Sequence, residues 1–232
     1  MTKTPKTAAP VKGGVAKEKL PEIVLTIGHS TRTIEEFTAL LKAHGATCVV
    51  DVRTVPRSRH NPQFNKDSLP ASLKEAGLGY VHMAGLGGLR HAKSDSPNMG
   101  WRNASFRGYA DYMQTPEFAR NLEELIELAK RGRIAVMCAE AVPWRCHRSL
   151  VADALLVRGI PTEDIMSETR RQPHSLTPFA KVRGGTLTYP AEAATEVTAK
   201  PAAKRRAVKA RGSKPVQRGP SLSTSAASSA GG

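Results

Sequence analysis

The sequence predicts an α/β protein with a doubly wound, mainly parallel sheet of about five strands and helices on both faces. Two observations support this prediction. Short apolar runs rich in β-branched residues alternate with longer segments in which apolar residues recur at helical spacing. The joints between these segments are mostly short, and several of the helical segments end at a glycine. Strands and helices that alternate in this way form parallel sheets covered by helices.

The first βαβ unit consists of a strand at 23–27, a helix at 31–44 and a second strand at 48–52. Thr33 and Glu36 have the spacing of a capping box, which marks the start of the helix. Because short joints connect the three elements, we expect the two strands to be parallel.

The remaining elements alternate in the same way. In chain order they are a helix at 67–76, a strand at 80–83, a helix at 115–130, a strand at 133–138, a helix at 149–158 and a short strand at 163–166. The stretch 85–107 is polar and rich in glycine, and we expect it to be a loop.

The formal net charge is +15, and most of it lies near the two ends of the chain. Residues 1–19 and 190–232 consist largely of Lys, Arg, Ala, Ser and Pro, without a periodic apolar face. Such segments bury too little apolar surface to offset about 1–2 kcal/mol of backbone entropy per residue. We therefore expect a folded domain at 20–189 between two disordered basic tails. The tails would either keep the chain soluble or bind nucleic-acid phosphates.

Several classes of protein are not expected. No window approaches the length of apolar sequence that a membrane span needs, and the N-terminal residues lack the apolar core of a signal peptide. Three cysteines, an odd number, argue against a disulfide framework. We expect a cytoplasmic protein with reduced thiols and no membrane partner. The sequence indicates no particular cofactor and no oligomeric state.

Residues that could bind a ligand follow the carboxyl ends of successive strands, which is where doubly wound sheets bind their ligands. The expected ligand-binding residues are Gly28, His29, Ser30, Asp51, Arg53, Arg57, Arg107, Tyr109 and Arg148. Guanidinium groups suit phosphates and carboxylates, and an ion pair with Asp51 would orient Arg53. The ring of Tyr109 could flank a nucleobase. The expected partner is a small anionic ligand or a nucleic acid.

The expected catalytic residues are Cys138, Glu140, Cys146 and His147. Cys138 ends a strand, whereas Cys146 opens a helix, whose N-terminus carries about half a positive elementary charge. A thiol at such a helix start has a lowered pKa, which favours Cys146 as the reactive residue. For Cys138 the other interpretation is a small apolar residue that closes a buried strand.

The loop between the cysteines differs from the phosphate-binding loop Cys-x5-Arg of some cysteine enzymes. Six residues separate Cys138 from Arg145, one more than that motif contains. Glu140 adds a negative charge and Pro143 lacks an amide hydrogen, and both weaken an anion cradle. The motif is therefore absent.

A metal site is a further alternative. Its ligands would be Cys138, Cys146 and His147, with His29 or His82 from neighbouring strand ends. Structural zinc sites usually have paired ligands two to four residues apart, and the eight-residue step between the cysteines fits that spacing poorly. We assign no metal ligand.

The chain resembles the domain-of-unknown-function family 488 (DUF488). The similar stretches are TIGHS at 26–30, VDVR at 50–53 with Pro56, Ser58 and Arg59, FNK at 64–66, LGG at 86–88, FRGYADYM at 106–113, MCAE at 137–140 and CHRS at 146–149. They cover most of residues 23–166 in order.

The resemblance implies an α/β domain and supplies no established reaction. It implies a shared signature of Gly28, His29, Asp51, Arg53, Arg107, Cys138, Glu140, Cys146, His147 and Arg148. It does not say which of them are catalytic, because a fold does not fix a function.

Three functional hypotheses follow. The first is an enzyme that acts on a phosphate- or carboxylate-bearing ligand, such as a nucleotide or nucleic-acid component. One cysteine would be a nucleophile or redox thiol, His147 or His29 a proton carrier, and Glu140 an acid or base. The second is a non-catalytic nucleic-acid-associated module, and the third a metal-dependent enzyme or sensor. The enzyme hypothesis requires the two cysteines to lie on the same side of the molecule as His29 and Arg53.

Overall fold

A six-stranded sheet forms the centre of residues 21–191, the part of the chain that the computed structural model describes. The strands are β1 (Val24–Gly28), β2 (Cys48–Asp51), β3 (Gly79–His82), β4 (Ile134–Cys138), β5 (Thr162–Ile165) and β6 (Arg171–Pro173). Their order across the sheet is β3-β2-β4-β1-β5-β6. The first five are parallel, and β6 pairs antiparallel with β5. The predicted mainly parallel α/β sheet is confirmed, with one strand more than expected.

Five α-helices accompany the sheet in the described residues: α1 (Ile34–Ala43), α2 (Leu69–Glu75), α3 (Ala104–Tyr112), α4 (Pro116–Arg131) and α5 (Arg148–Val157). The capping box predicted for α1 is present. The Thr33 side chain accepts a hydrogen bond from the Glu36 amide at 3.2 Å, and the Glu36 carboxylate accepts one from the Thr33 amide at 2.9 Å. In contrast, α3 begins inside the stretch that was expected to be a loop.

The helices cover both faces of the sheet because successive strand residues point to opposite sides. Val24 and Val136 pack in one apolar cluster with residues of α3, α4 and α5. Their neighbours Leu25 and Ala135 pack in a second cluster with residues of α1 and α2. Strands buried on both faces in this way have nearly continuous apolar sequences, as β1 and β4 do.

Strand β4 lies between β1 and β2, so the two strands of the first βαβ unit are parallel but not adjacent. The register aligns Gly28 of β1 with Cys138 of β4, and Asp51 of β2 with Met137 of β4 and His82 of β3. The carboxyl ends of four strands therefore reach the same edge of the sheet.

The segment after β5 contains structure that the sequence did not predict. It includes β6 and a hairpin of β7 (Lys181–Arg183) and β8 (Thr186–Thr188). The buried Asp153 of α5 holds this segment. Its carboxylate accepts hydrogen bonds from His174 Nε2 at 2.8 Å, the Thr177 amide at 3.1 Å and the Tyr189 hydroxyl at 2.8 Å.

Both predicted tails, 1–19 and 190–232, lie outside the described residues apart from positions 190 and 191. Among the helices of the described range, none is long and apolar enough to cross a membrane.

Candidate functional site

A cleft of about 810 Å³ opens at the carboxyl ends of β1, β2 and β4. Eight of the expected site residues line it: His29, Ser30, Arg53, Arg57, Cys138, Glu140, Cys146 and His147. They come from the segments that follow three different strands and from the start of α5. Residues far apart in the sequence thus meet in one concave surface, because the parallel strands end at one edge.

The other five expected residues do not line the cleft. Gly28 lies beneath it, where a Cβ atom would overlap the carbonyl oxygen of Glu140. The guanidinium of Arg107 instead donates to the Trp101 carbonyl at 3.3 Å. Tyr109 is fully buried, and its hydroxyl donates to the Leu86 carbonyl at 2.9 Å. Asp51 and Arg148 lie behind the cleft wall, where Asp51 pairs with Arg53 and Arg148 contacts Cys138.

The positions of Arg107 and Tyr109 follow from the geometry of α3. Successive helical residues are about 100° apart around the axis, so one helix presents only part of its surface to the cleft. Ser105 and Phe106 line the cleft, whereas Tyr109 packs inside against the ring of His147, with the ring centroids 5.1 Å apart.

The sulfur atoms of Cys138 and Cys146 are in contact at the floor of the cleft, and the Cα atoms of the two residues lie 7.5 Å apart. The expectation of reduced thiols stays a prediction for this pair. The sequence separation of eight residues hides the contact, because the chain after β4 folds back through a short 3-10 helix, Pro143–Arg145. The third cysteine, Cys48 on β2, is a free thiol.

Arg148 is buried directly behind Cys138. Its Nη1 donates to the Cys138 sulfur at 2.8 Å and also to the Glu140 carbonyl. Its Nη2 donates to the Ala141 carbonyl at 2.9 Å, and its Nε donates to the Thr26 hydroxyl at 3.2 Å. Burial lowers the pKa of Arg148 to about 10, so the guanidinium remains charged at neutral pH. A positive charge is thus fixed next to one of the paired sulfurs.

His147 has a free lone pair that faces the other sulfur. Its Nε2 lies 3.2 Å from the Val52 carbonyl, which accepts only a donated hydrogen, so Nε2 carries the proton. Nδ1 is then unprotonated and lies 3.7 Å from the Cys146 sulfur. Burial lowers the pKa of His147 to about 4, so the ring is neutral at neutral pH. Gly88 allows this arrangement, since a Cβ there would lie 2.5 Å from Nδ1.

Asp51 orients Arg53, as predicted. The Asp51 carboxylate accepts from Arg53 Nε at 2.9 Å and from Nη2 at 2.6 Å, which is a bidentate ion pair. The Phe64 carbonyl accepts from the same Nη2 at 2.7 Å, and the Tyr80 hydroxyl donates to Asp51 at 3.0 Å. The Arg53 guanidinium is therefore a fixed part of the cleft wall.

His29 is held on both sides of its ring. Its Nδ1 lies 2.8 Å from the Ser30 carbonyl and must donate, while Nε2 accepts from Arg53 Nη1 at 3.2 Å. The ring stacks on Phe64 with the centroids 4.3 Å apart. Burial lowers the pKa of His29 to about 4. Of the two histidines considered as proton carriers, only His147 has a ring nitrogen in contact with a cysteine sulfur.

The rim of the cleft combines charged and apolar side chains. Arg57 and Arg145 are exposed, and neither forms an ion pair with any residue in the described range. Glu140 is the one acidic side chain that lines the cleft. Val55 and Leu89 expose 60% and 73% of their surface and form an apolar wall, together with Phe106.

The expected site residues did not include four residues of this rim, namely Val55, Gly88, Leu89 and Arg145. The pair Gly87-Gly88 was the available signal, because adjacent glycines after a strand often mark a close approach of backbone to another group. Within the described residues, no group of three or more His, Cys, Asp or Glu side chains is arranged to hold a metal ion.

Fold and cleft together define a doubly wound α/β protein with a cysteine pair, a neutral histidine and a buried arginine at the carboxyl edge of its sheet. The family model described as "Domain of unknown function DUF488" matches residues 33–155. Because this match covers more than half of the chain, the chain belongs to that family. The matched range contains both paired cysteines and excludes Gly28, His29 and Ser30. No curated protein and no solved structure matches the chain.

Proposed function

We propose that the protein is an enzyme that uses cysteine chemistry at the floor of this cleft on a phosphate- or carboxylate-bearing ligand. A nucleotide or a nucleic-acid component is the ligand class that fits best. One observation carries the proposal. Two sulfur atoms, a buried guanidinium and a neutral imidazole are in contact beneath an open cleft, whose rim holds two arginines that form no ion pair within residues 21–191.

The surroundings of the two reduced cysteines favour nucleophilic attack, because Arg148 stabilises a thiolate on Cys138 and His147 can take the proton of Cys146 as its sulfur attacks. The unprotonated Nδ1 of His147 can accept the proton of Cys146, at the present separation of 3.7 Å. The Arg148 guanidinium stabilises negative charge on Cys138. Thiolates, rather than thiols, are the nucleophilic form of cysteine. The site thus provides a nucleophile and an adjacent base.

A nucleophilic cycle with these groups is balanced. The Cys146 thiolate attacks an electrophilic phosphorus or acyl carbon and forms a bond to it. The leaving group departs with the electrons of its old bond and takes the proton from His147. Water then attacks the same atom and gives a proton to His147, and the Cys146 thiolate departs. Glu140, exposed at the cleft mouth, is available for proton transfer with solvent.

The rim supports the ligand class. The planar guanidinium groups of Arg57 and Arg145 can bind phosphate or carboxylate oxygens in pairs. Val55, Leu89 and Phe106 provide an apolar surface on which a flat heterocycle can lie. A nucleotide combines these two chemical features.

The test compares alkylation by iodoacetate, an anion, with alkylation by iodoacetamide, its neutral analogue, in reduced protein. Cys48→Ser removes the third thiol. At neutral pH and low salt we expect the cleft cysteines to react faster than a free thiol. We also expect the ratio of iodoacetate to iodoacetamide rates to exceed that of the free thiol by about tenfold.

Three variants test the charge of the rim and the role of the base. Arg57→Gln combined with Arg145→Gln should return the rate ratio to that of the free thiol, whereas Glu140→Gln should raise it. His147→Asn should slow both reagents at neutral pH, because it removes the base. Cleft cysteines that react no faster than a free thiol, with the same preference between the reagents, would overturn the proposal.

A further inference from the structure

We infer that Cys138 and Cys146, whose sulfur atoms are in contact, form a redox pair that exchanges with a small thiol that carries carboxylate groups and with the disulfide of that thiol, and that reduction generates the thiol form of the cleft. The inference rests on the proposed function in one respect, since both use the same two cysteines. It adds a second reaction and names the chemical class of its substrate. The reducing agent is the small thiol itself.

The surroundings of the two sulfurs determine which one is attacked. In thiol–disulfide exchange the sulfur that better stabilises negative charge is the better leaving group. Cys138 has the charged Arg148 guanidinium at 2.8 Å, whereas Cys146 has the neutral His147 ring at 3.7 Å. The incoming thiolate therefore attacks Cys146, and Cys138 leaves as a thiolate beside Arg148.

The exchange is balanced in two steps. The small thiolate forms a bond to the Cys146 sulfur while the disulfide breaks, and the bond electrons remain on Cys138. A second small thiolate then attacks the sulfur of the first small thiol in the mixed disulfide. Cys146 is released as a thiolate. The protein gains two electrons, two small thiolates are oxidised to one disulfide, and the protons that the small thiols lost on ionisation remain in the solvent or bind to the two released cysteine thiolates.

The charge of the rim determines which small thiols approach. Arg57 and Arg145 are exposed and unpaired within the described residues, and Glu140 alone opposes them. Arg53 adds little, because Asp51 pairs with it. The excess positive charge attracts an anionic thiol and repels a cationic one, an effect that dissolved salt screens.

The experiment measures how fast three small thiols reduce the full-length oxidised Cys48→Ser protein: glutathione (anionic), 2-mercaptoethanol (neutral) and cysteamine (cationic). Acid quenching followed by mass spectrometry gives the rates. Each rate is divided by that thiol's rate on a small uncharged disulfide, which removes intrinsic differences in reactivity. We expect glutathione to exceed cysteamine by about tenfold at low salt, with the difference vanishing at about 1 M salt.

Arg57→Gln combined with Arg145→Gln should abolish this preference, and Glu140→Gln should increase it. Two results would overturn the inference. One is normalised rates that do not depend on the charge of the thiol. The other is an air-oxidised protein in which mass spectrometry finds no Cys138–Cys146 disulfide.

A second measurement locates the exchanging sulfur. Oxidised Cys48→Ser protein is mixed with glutathione, quenched with acid after a short time and digested, and mass spectrometry identifies the cysteine that carries glutathione. We expect the mixed disulfide on Cys146 at least several-fold more often than on Cys138. The opposite order would overturn the assignment of Cys146 as the exchanging sulfur.

The two proposals can fail separately. Alkylation is measured on reduced protein and reports the reactivity of the thiols towards a carbon electrophile. Exchange is measured on oxidised protein and reports attack on the disulfide. Rapid, charge-dependent exchange with ordinary alkylation would leave a redox protein without the proposed hydrolytic chemistry, and the reverse result would leave an enzyme without the exchange reaction.

Discussion

Gly28 is the residue at which the end of β1 meets the loop after β4. A Cβ atom there would overlap the Glu140 carbonyl and lie 3.0 Å from the Cα of Ala141. The same Glu140 carbonyl accepts a hydrogen bond from Arg148. The loop therefore has contacts on both sides. It cannot move away from a larger side chain at position 28 without breaking the hydrogen bond between the Glu140 carbonyl and Arg148.

Gly28→Ala should lower the free energy of unfolding by about 1–3 kcal/mol through overpacking, measured by urea denaturation. It should also change the alkylation rate of the reduced cleft cysteines, because the displaced loop carries Glu140. Gly77→Ala is the matched control. Gly77 has a φ of +77° with open space around it, so the change should cost about 1 kcal/mol without altering cysteine reactivity. Equal reactivity in both variants would contradict the expectation.

The sequence indicated which segments meet in the cleft but not where each side chain points. His29 and Arg53 follow strand ends, so their convergence could be predicted from the order of elements. Arg148 and Tyr109 are interior residues, which a single sequence cannot distinguish from residues on the surface of the same helices. The pairing of Cys138 with Cys146 depends on the path of the intervening loop, and that path has no periodic signal.

At the scale of elements, α5 connects the cleft to the C-terminal segment of the described range. Its first residue, Arg148, contacts Cys138, and Asp153 lies five positions further along, where it accepts the hydrogen bonds from the segment after β6. One helix therefore fixes both the floor of the cleft and the position of residues 174–189.

Tyr189→Phe should lower the free energy of unfolding by about 1.5–3 kcal/mol, because it removes a hydrogen bond to the buried carboxyl group of Asp153. Urea denaturation measures the loss. Tyr109→Phe is the matched control, since its equally buried hydroxyl donates to a neutral carbonyl and should cost about 1 kcal/mol. A smaller loss for Tyr189→Phe than for Tyr109→Phe would show that Asp153 does not anchor the segment.

Element prediction succeeded where apolar residues are periodic and failed elsewhere. Strands β1, β2, β4 and β5 are largely buried runs and β3 is partly buried, and the positions of all five were predicted to within a residue or two. Strands β6 and β7 are exposed at every residue, so no apolar pattern marks them. The two-residue turn Gly184-Gly185, both with positive φ, was the only local sign of the hairpin.

At the scale of the whole molecule, two neutral histidines lie at the junction of the sheet and the cleft. Both His29 and His147 have pKa values lowered to about 4, and burial is the largest cause for each. A histidine in an unfolded chain has a pKa near 6.5. Between these values the unfolded chain binds protons that the folded protein does not, so stability is lost as the pH falls.

The contribution of His29 to stability should be fully present above about pH 6.5 and should decrease by about 3 kcal/mol as the pH falls to about 4. The measurement is the free energy of unfolding against pH for wild-type protein and His29→Gln, with the difference between the curves as the readout. The control is His91→Gln, which changes an exposed loop residue. A wild-type curve parallel to that of His29→Gln over this range would contradict the expected linkage.

The fold class could be predicted from the sequence, whereas the order of the strands could not. Alternation of strands and helices implies a parallel sheet, yet it does not say which strands are neighbours. The insertion of β4 between β1 and β2 depends on which helices cover which face, and therefore on packing between distant parts of the chain.

The position of β4 between β1 and β2 also has a consequence for folding during synthesis on the ribosome. The first half of the polypeptide emerges with an open slot between β1 and β2, which only a segment synthesised more than eighty residues after β2 can fill. Contacts between such distant segments form late and slowly. Cys48 leaves the ribosome well before Cys138, which ends β4, and Cys146, which follows eight residues later.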